Sequence, residues 1–266
     1  MKKSIMGFIP AGGKGVRMKP FMLIKELWPF IIQDDGSGGH NGEVTLLIEN
    51  AMNVLHKGGV ENVVCTINSD KEMLIKILSD INGQASDMKV SFVHQKRLDK
   101  EYGLPFAIAA AEPFLKEHTV FMKFPDTVVY PMDCFKSLYK FHCDRNSDLT
   151  LGVFPTNRAE NLGPVVIDKN NKILKLEDKP KNPSVDNTWN ILIWENSFLN
   201  LLMQEVNNFR NNSIAKNQEL KIYDIVKKAI DDKLNINAYL FENGKCIDIS
   251  SIHDAALLWE IENISN

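Results

Sequence analysis

Three glycines, Gly12, Gly13 and Gly15, follow an apolar run in "FIPAGGKGVRMKP", and two cations, Arg17 and Lys25, come soon after them. Glycine permits positive φ and close backbone approach, so a loop of this kind leaving a strand can aim successive amide N–H groups, from Ala11 onward, at a phosphate. A guanidinium and an ammonium on the same loop neutralise the oxygens that amides only partly compensate. The loop lacks the GKS or GKT ending of a P-loop and does not fit the GxGxxG register of a dinucleotide fingerprint, which disfavours both of those classes. The alternative reading is a tight connection after a strand, with solvated surface cations.

Such a loop needs a strand before it, and short β-branched or apolar runs read as strands at Ser4–Pro10, Asn62–Ile67, Lys89–His94, Thr119–Phe124 and Asp148–Phe154. Helical periodicity at Leu46–His56, Lys71–Ile81, Leu104–Leu115 and Met132–His142 alternates with them. This rhythm predicts an α/β fold, a Rossmann-like sheet with parallel strands whose C-terminal ends gather the active site. After Phe154 the pattern changes: "GPVVID", "KILKLED" and "TWNILIW" are strand-like, helices follow near Phe198–Phe209 and Ile222–Asp232, and "NINAYLF", "KCIDIS" and "DAALLWEIE" supply two strands and a helix. No Pro- or Ser-rich linker divides the chain, so residues 1–266 read as one domain with two halves. The glycine-rich stretch Gln33–Val44 reads as an exposed excursion, a bare insertion or a lid.

The 266 residues, 44% of them hydrophobic, are enough for a substantial core. A formal net charge of −3 with interspersed signs gives no broad basic face, so no nucleic-acid partner is expected. No apolar run approaches the roughly 20 residues that span a bilayer, and the N-terminus is too weakly apolar for a signal peptide, so the expectation is a cytoplasmic protein with no membrane partner. Cys65, Cys134, Cys143 and Cys246 form no CxxC pair and read as core thiols rather than zinc ligands or disulfides. The oligomeric state is left open, a homo-oligomer included.

"AGGKGVRMKP...IKELWP" resembles the GGxGTRLxP...PKxLxP signature of the sugar-1-phosphate nucleotidylyltransferases, the NDP-sugar pyrophosphorylases, of the glucose-1-phosphate thymidylyl- and uridylyltransferase kind. The likeness runs on in order along nearly the whole chain. "FMKFPDTVV" is similar to the strand ending in a GD pair, "LGPVVIDKNNKILKLEDKPKNP" to YGVVxxDxxGxVxxxxEKPxxP, "ELKIYDIVKKAI" to ELEITDVI, and "GKCIDISSIHDAALLWE" to WxDxGTxxxLxxA. The resemblance implies the mixed sheet of nucleotide-diphospho-sugar transferases, with a nucleotide half at about 1–135 and a sugar half at about 136–266. It also implies a chain that ends before any appended β-helix acyltransferase domain.

In that family a sugar-1-phosphate oxygen attacks the α-phosphorus of a nucleoside triphosphate. The nucleophile is already an anion, so catalysis reduces to aligning two polyanions and spreading the developing charge. By resemblance, Asp126 and Asp248 hold Mg2+, Arg17 meets the leaving pyrophosphate, Lys25 the triphosphate, and Lys179 the sugar phosphate and the α-phosphate. Ala11, Gly12, Gly13, Gly15 and Gly103 would approach the nucleotide, with Gln95 a candidate base reader or a solvent-facing polar residue. Gly163 and Asp178 would approach the sugar; Asp178 is one methylene shorter than the family's Glu, and neighbouring Glu177 is a substitute. Phe106 stands where thymidylyl enzymes carry Gln, so the base stays unnamed. Val16, Ile24, Pro125 and Ser250 depart from the motifs and remove a hydroxyl and backbone freedom near phosphates. The alternatives are a cytidylyltransferase acting on a phospho-alcohol such as phosphocholine, and a catalytically silent nucleotide-binding regulatory homologue.

Overall fold

A computed structural model describes residues 3–13, 24–32, 43–80, 85, 87–96, 101, 103–212, 219–249, 251 and 254–255. Gly15, Val16, Arg17, Ser250, most of the glycine-rich excursion and most of the expected closing helix lie outside them.

The first half runs β1 (Ile5–Pro10), β2 (Pro29–Ile32), β3 (Glu43–Leu46), α1 (Leu47–Lys57), β4 (Asn62–Ile67), α2 (Met73–Ser79), β5 (Lys89–His94), α3 (Leu104–Leu115), β6 (Thr119–Lys123) and β7 (Thr127–Tyr130). There follow α4 (Cys134–Asp144), β8 (Leu149–Pro155), β9 (Val165–Ile167), β10 (Ile173–Leu176), β11 (Asn187–Trp194), α5 (Asn196–Asn211), α6 (Ile222–Asp231), β12 (Ile236–Leu240) and β13 (Lys245–Asp248). One seven-stranded sheet takes the order β12-β8-β11-β6-β1-β4-β5, drawing strands from both parts of the chain. β1 is parallel to β4 and β6, and β4 to β5, a direction that needs a long crossover between paired strands. β11 runs antiparallel to both β6 and β8, so the sheet is mixed, as the resemblance implied, although the alternating strands and helices by themselves suggested parallel strands alone.

Alternation along the strands builds a core on each face, because successive side chains point to opposite sides. Phe8, Val120, Met122, Leu192 and Trp194 pack with α3, α5 and α6, while Ile9, Phe121, Ile191 and Ile193 pack with α1, α2 and α4. Gly152 faces Ile191 across the β8–β11 ladder, where an added Cβ would lie 2.4 Å from Ile191 Cγ1. Of the four thiols, Cys65 and Cys134 are buried as expected, but Cys143 is exposed and Cys246 half-buried.

Besides the β9–β10 pair, two short ladders of the described residues lie apart from the main sheet. β2 and β3 form an antiparallel hairpin, so residues 43 and 44, expected in the excursion, belong to a strand. β7 pairs antiparallel with β13, in the register Asp248 opposite Thr127. That second ladder carries the site.

Candidate active site

β6 ends at Lys123 and β7 begins at Thr127, leaving Phe124, Pro125 and Asp126 to turn the chain. Asp126 therefore stands at the head of the β7–β13 ladder, and the Ile249 N–H donates to its carbonyl at 3.0 Å, which brings Asp248 to the same corner. Lys25, in a 3-10 turn at Lys25–Leu27, donates its ammonium to Asp126 Oδ2. Burial works against the charge on Lys25, but the Asp126 carboxylate, with lesser help from Glu26 and Asp248, holds its pKa above the ordinary lysine value. The turn that carries Lys25 is fixed by the neighbouring Glu26, 1% exposed, which receives a hydrogen bond from buried Lys71.

This corner already holds a cation against two carboxylates, and that is the test a divalent metal must pass. Among the described residues no cluster of three or more His, Cys, Asp or Glu is assembled. Two carboxylates suit Mg2+, which keeps several waters and completes its octahedron with phosphate oxygens. The thiols nearby are poor ligands at neutral pH, since burial pushes Cys134 and Cys246 up to about 12.

The glycine loop enters from β1. The Ala11 methyl is buried and its N–H is committed to Thr66 O at 2.9 Å, so that amide is not one that reaches a phosphate. Asn68, 4% exposed, donates from Nδ2 to Gly12 O at 2.8 Å and pins the loop. A Cβ on Gly12 would meet Gln95 Oε1 at 2.4 Å, which places the Gln95 amide over the loop; a Cβ on Gly13 would meet nothing within 4 Å. Neither glycine has positive φ, so among the described residues of this loop close approach, not a left-handed backbone, is what glycine provides. Gly103 differs: at φ +127 it opens α3, and a Cβ there would fall 2.1 Å from Leu220 O. Its contacts run to Leu220 and Glu219, a structural reason for glycine that needs no nucleotide.

On the other side, β9 and β10 form a hairpin whose end brings the Asp178–Lys179 pair beside Gly163. The Glu177 N–H donates to Pro164 O, and the Lys179 N–H to Leu162 O, each at 2.9 Å. Lys179 is exposed and adopts φ +48, an unusual region for a residue with a side chain. Gly163 lies under the Trp189 indole, 2.6 Å from its Nε1 to an ideal Cβ, and the Trp189 ring is 5.8 Å from that of Phe124 on the Asp126 turn. Trp189 thereby links the Gly163 side of the site to the carboxylate corner.

Asp178 is half-paired with Lys221, whose ammonium donates to Asp178 Oδ2. Glu177 is held differently: its carboxylate accepts from Lys175 and from both the N–H and Oγ of Ser184, and these bonds hold its pKa down at about 2. The depressed value makes an acid-stability prediction. The contribution of Glu177 is complete above the ordinary carboxylate range near 4.5 and is lost as pH falls from there towards 2. Thermal melts of Glu177→Gln against wild type should differ at pH 6, and the gap should narrow below about pH 4.5 and close only near pH 2; a constant gap would contradict this role.

Several groups at the site escaped the sequence reading. Lys123, fully buried, donates to Phe124 O at 2.9 Å and to Thr127 O and Oγ1 at 2.7 Å each, and burial lowers its pKa to about 8. Its signal was a charge closing an apolar strand, "TVFMK". Asn68 caps the 3-10 turn at Ser69–Lys71 by accepting from Asp70 N at 2.8 Å, legible as Asn before "SDK". Trp189 and Lys221 had no signal apart from the strand and the motif that contain them.

A profile of the family described as Nucleotidyl transferase matches residues 6–260. A glucose-1-phosphate adenylyltransferase of Clostridium acetobutylicum is 31% identical over 137 residues, which is 50% of this chain and 33% of that protein. The bifunctional protein GlmU of Methanococcus aeolicus is 24% identical over 247 residues, 91% of this chain and 52% of that protein. The chain thus spans about half, or less, of the length of these curated relatives. Among solved structures, one from Bacillus anthracis assigned as a glucose-1-phosphate thymidylyltransferase, in complex with sucrose, superposes with TM-score 0.75 at 17% identity, over 99% of this chain and 97% of that one. A UDP-glucose pyrophosphorylase complexed with UDP-glucose gives 0.74 at 18% identity, over 97% of each chain. At these identities the likeness is one of fold, the mixed α/β sheet described above.

Proposed function

The chain belongs to the nucleotidyl transferase family, and from that premise we propose that it transfers a nucleoside monophosphate from an NTP to a sugar-1-phosphate, giving an NDP-sugar and pyrophosphate. The observation that carries the reading is the corner where Lys25 meets Asp126 at the head of the ladder bearing Asp248. In this reading the glycine loop borders that corner from the first half of the chain, and Gly163 and Lys179 approach it from the second.

In this reading a phosphate oxygen of the sugar-1-phosphate forms a bond to the α-phosphorus. The bond from that phosphorus to the α–β bridging oxygen breaks, and pyrophosphate departs with the electron pair. Asp126 and Asp248 hold the divalent cation, which when bound supplies Lewis-acid neutralisation of the phosphate oxygens. Lys25 binds the triphosphate, Arg17 the leaving group, and Lys179 the phosphates that react. Gly12, Gly13 and Gly15 admit the nucleotide close to the backbone, Gln95 addresses the base, and Gly163 and Asp178 receive the sugar. The choice of a sugar-1-phosphate over a phospho-alcohol is supported by the adenylyltransferase relative, whose name specifies glucose-1-phosphate. No helix among the described residues is long and apolar enough to cross a membrane, and the proposed partners are small molecules.

The test is a pyrophosphate-release screen of ATP, GTP, CTP, UTP and dTTP against sugar-1-phosphates and phosphocholine, with Mg2+. Release with a sugar-1-phosphate supports the reading; release only with phosphocholine favours the cytidylyltransferase, and nucleotide binding without release favours a silent homologue. The glycine loop adds a second test. Because Gly13 has open space around it and no positive φ, Gly13→Val should cost nothing in folding. It should weaken NTP binding at least roughly tenfold, about 1.4 kcal/mol, by isothermal titration. Unchanged affinity would make the loop a tight turn and nothing more.

A further inference from the structure

Lys123 is an anomaly in its strand. The other residues of β6 are Thr and apolar side chains, all buried, and Lys123 is buried to 0% exposure among them. An ammonium has three N–H donors. Here each has an acceptor, Phe124 O, Thr127 O and Thr127 Oγ1, and all three acceptors belong to the connection that carries Asp126. A cation with its donors spent in this way is not free to meet a phosphate, but it holds the shape of the loop wrapped around it.

The hydroxyl of Thr127 extends the network. Accepting from Lys123, it has its own proton to give, and it donates to Asn190 Oδ1 at 2.9 Å. Asn190, 6% exposed, is the residue at the irregularity in β11, where the register with β8 shifts between Trp189 and Ile191. A bulge re-aims the side chains beside it. The chain Lys123–Thr127–Asn190 therefore ties the Asp126 turn to the bulge that sets Trp189 over Gly163. A buried polar network fully satisfied at each link fixes geometry; one with a member removed leaves carbonyls and a hydroxyl orphaned.

We propose that Lys123 is a positioning residue: its ammonium, enclosed by Phe124 and Thr127, fixes where the Asp126 carboxylate stands and thereby sets the affinity of the site for its divalent cation. The inference rests on the metal reading of Asp126 and Asp248 given above. It makes a prediction whose sign is informative, because Lys123 is also a positive charge within the field of both carboxylates. Were it acting by charge alone, removing it would tighten metal binding. Acting by position, its removal loosens metal binding.

Mn2+ titrations, followed by calorimetry or by the resonance of the free ion, distinguish the two. Lys123→Met should raise the Mn2+ dissociation constant at least roughly tenfold. Thr127→Val, which keeps the cation and deletes the hydroxyl, should shift it in the same direction, while Thr127→Ser stays near wild type. Leu202→Ala, a core change on α5, provides a protein destabilised by cavity formation and should bind Mn2+ as wild type does. If Lys123→Met fails to fold, the Thr127 pair decides by itself. Equal or tighter binding by a folded Lys123→Met, or by Thr127→Val, overturns the inference while the metal reading stands. A wild-type protein that binds no Mn2+, with or without NTP, overturns both.

Discussion

Asp126→Ala should fold and lose turnover by on the order of a thousandfold at saturating substrates, equivalent to about 4 kcal/mol of transition-state stabilisation. The loss is large because one carboxylate performs two tasks at the corner: it is the partner of Lys25 and it heads the ladder that brings Asp248 alongside. Stability should change far less. Some stability should be lost, because the pair is mostly buried, with side-chain exposures of 14% and 18%, but Glu26 and Asp248 remain to compensate the Lys25 charge. Asp248→Ala should behave alike, since its place opposite Thr127 puts it at the same corner. The check is kcat beside a thermal melt. Near-normal turnover in Asp126→Ala at saturating Mg2+ and substrates would dismiss the metal assignment, whereas loss of both turnover and cooperative melting would make the residue structural.

Lys179 should show the opposite relation between stability and activity. Its left-handed φ of +48 costs a non-glycine residue on the order of 1 kcal/mol, and nothing in the hairpin requires a long cationic side chain to make the turn. Lys179→Gly should therefore be no less stable than wild type while kcat falls on the order of a hundredfold, as expected for a cation aimed at charge that develops in the transition state. Lys179→Ala should show the same kinetic loss without the relief of strain. An effect confined to KM for the sugar phosphate would reduce Lys179 to a binding group.

How far the sequence led can be seen in individual elements. β4, β5 and α3 were legible to the residue, because β-branched runs or an apolar helix stand between clear breakers such as "HKGG" and "YG". The β2–β3 hairpin was hidden because each strand has only four residues and the glycine-rich connection between them dominates the local composition. β7 was missed for a related reason: three residues separate it from β6, so "TVFMKFPDTVVY" reads as one strand with an interruption. The antiparallel direction of β11 has no local signature, since its two buried faces give the same continuous apolar run in either direction.

At the site, residue types that meet phosphate were recognisable, but the groups that position them were not. Asp126 and Lys25 stand out by motif, yet their contact spans 101 positions and only the fold makes it. Glu177 and Asp178 are equivalent in the string "EDKP"; in the fold Ser184 engages Glu177 within the hairpin, whereas Asp178 pairs with Lys221. Gly103 invites a nucleotide reading in sequence, whereas in the fold a backbone carbonyl occupies the place of its side chain. Lys123 reads as an irregularity in a strand, and its three acceptors become visible only when the turn closes around it.

In the proposed reaction a sugar-phosphate oxygen, and no group of the protein or of water, takes the nucleoside monophosphate. This is tested most directly with a sugar-1-phosphate carrying heavy oxygen in its phosphate, incubated with the NTP found in the screen and Mg2+, the products being weighed by mass spectrometry. The NDP-sugar should retain every labelled phosphate oxygen, pyrophosphate should carry none, and Asp126→Ala should form neither product at a comparable rate. Labelled pyrophosphate, loss of label from the NDP-sugar, or release of a nucleoside monophosphate to water in place of the NDP-sugar would contradict it.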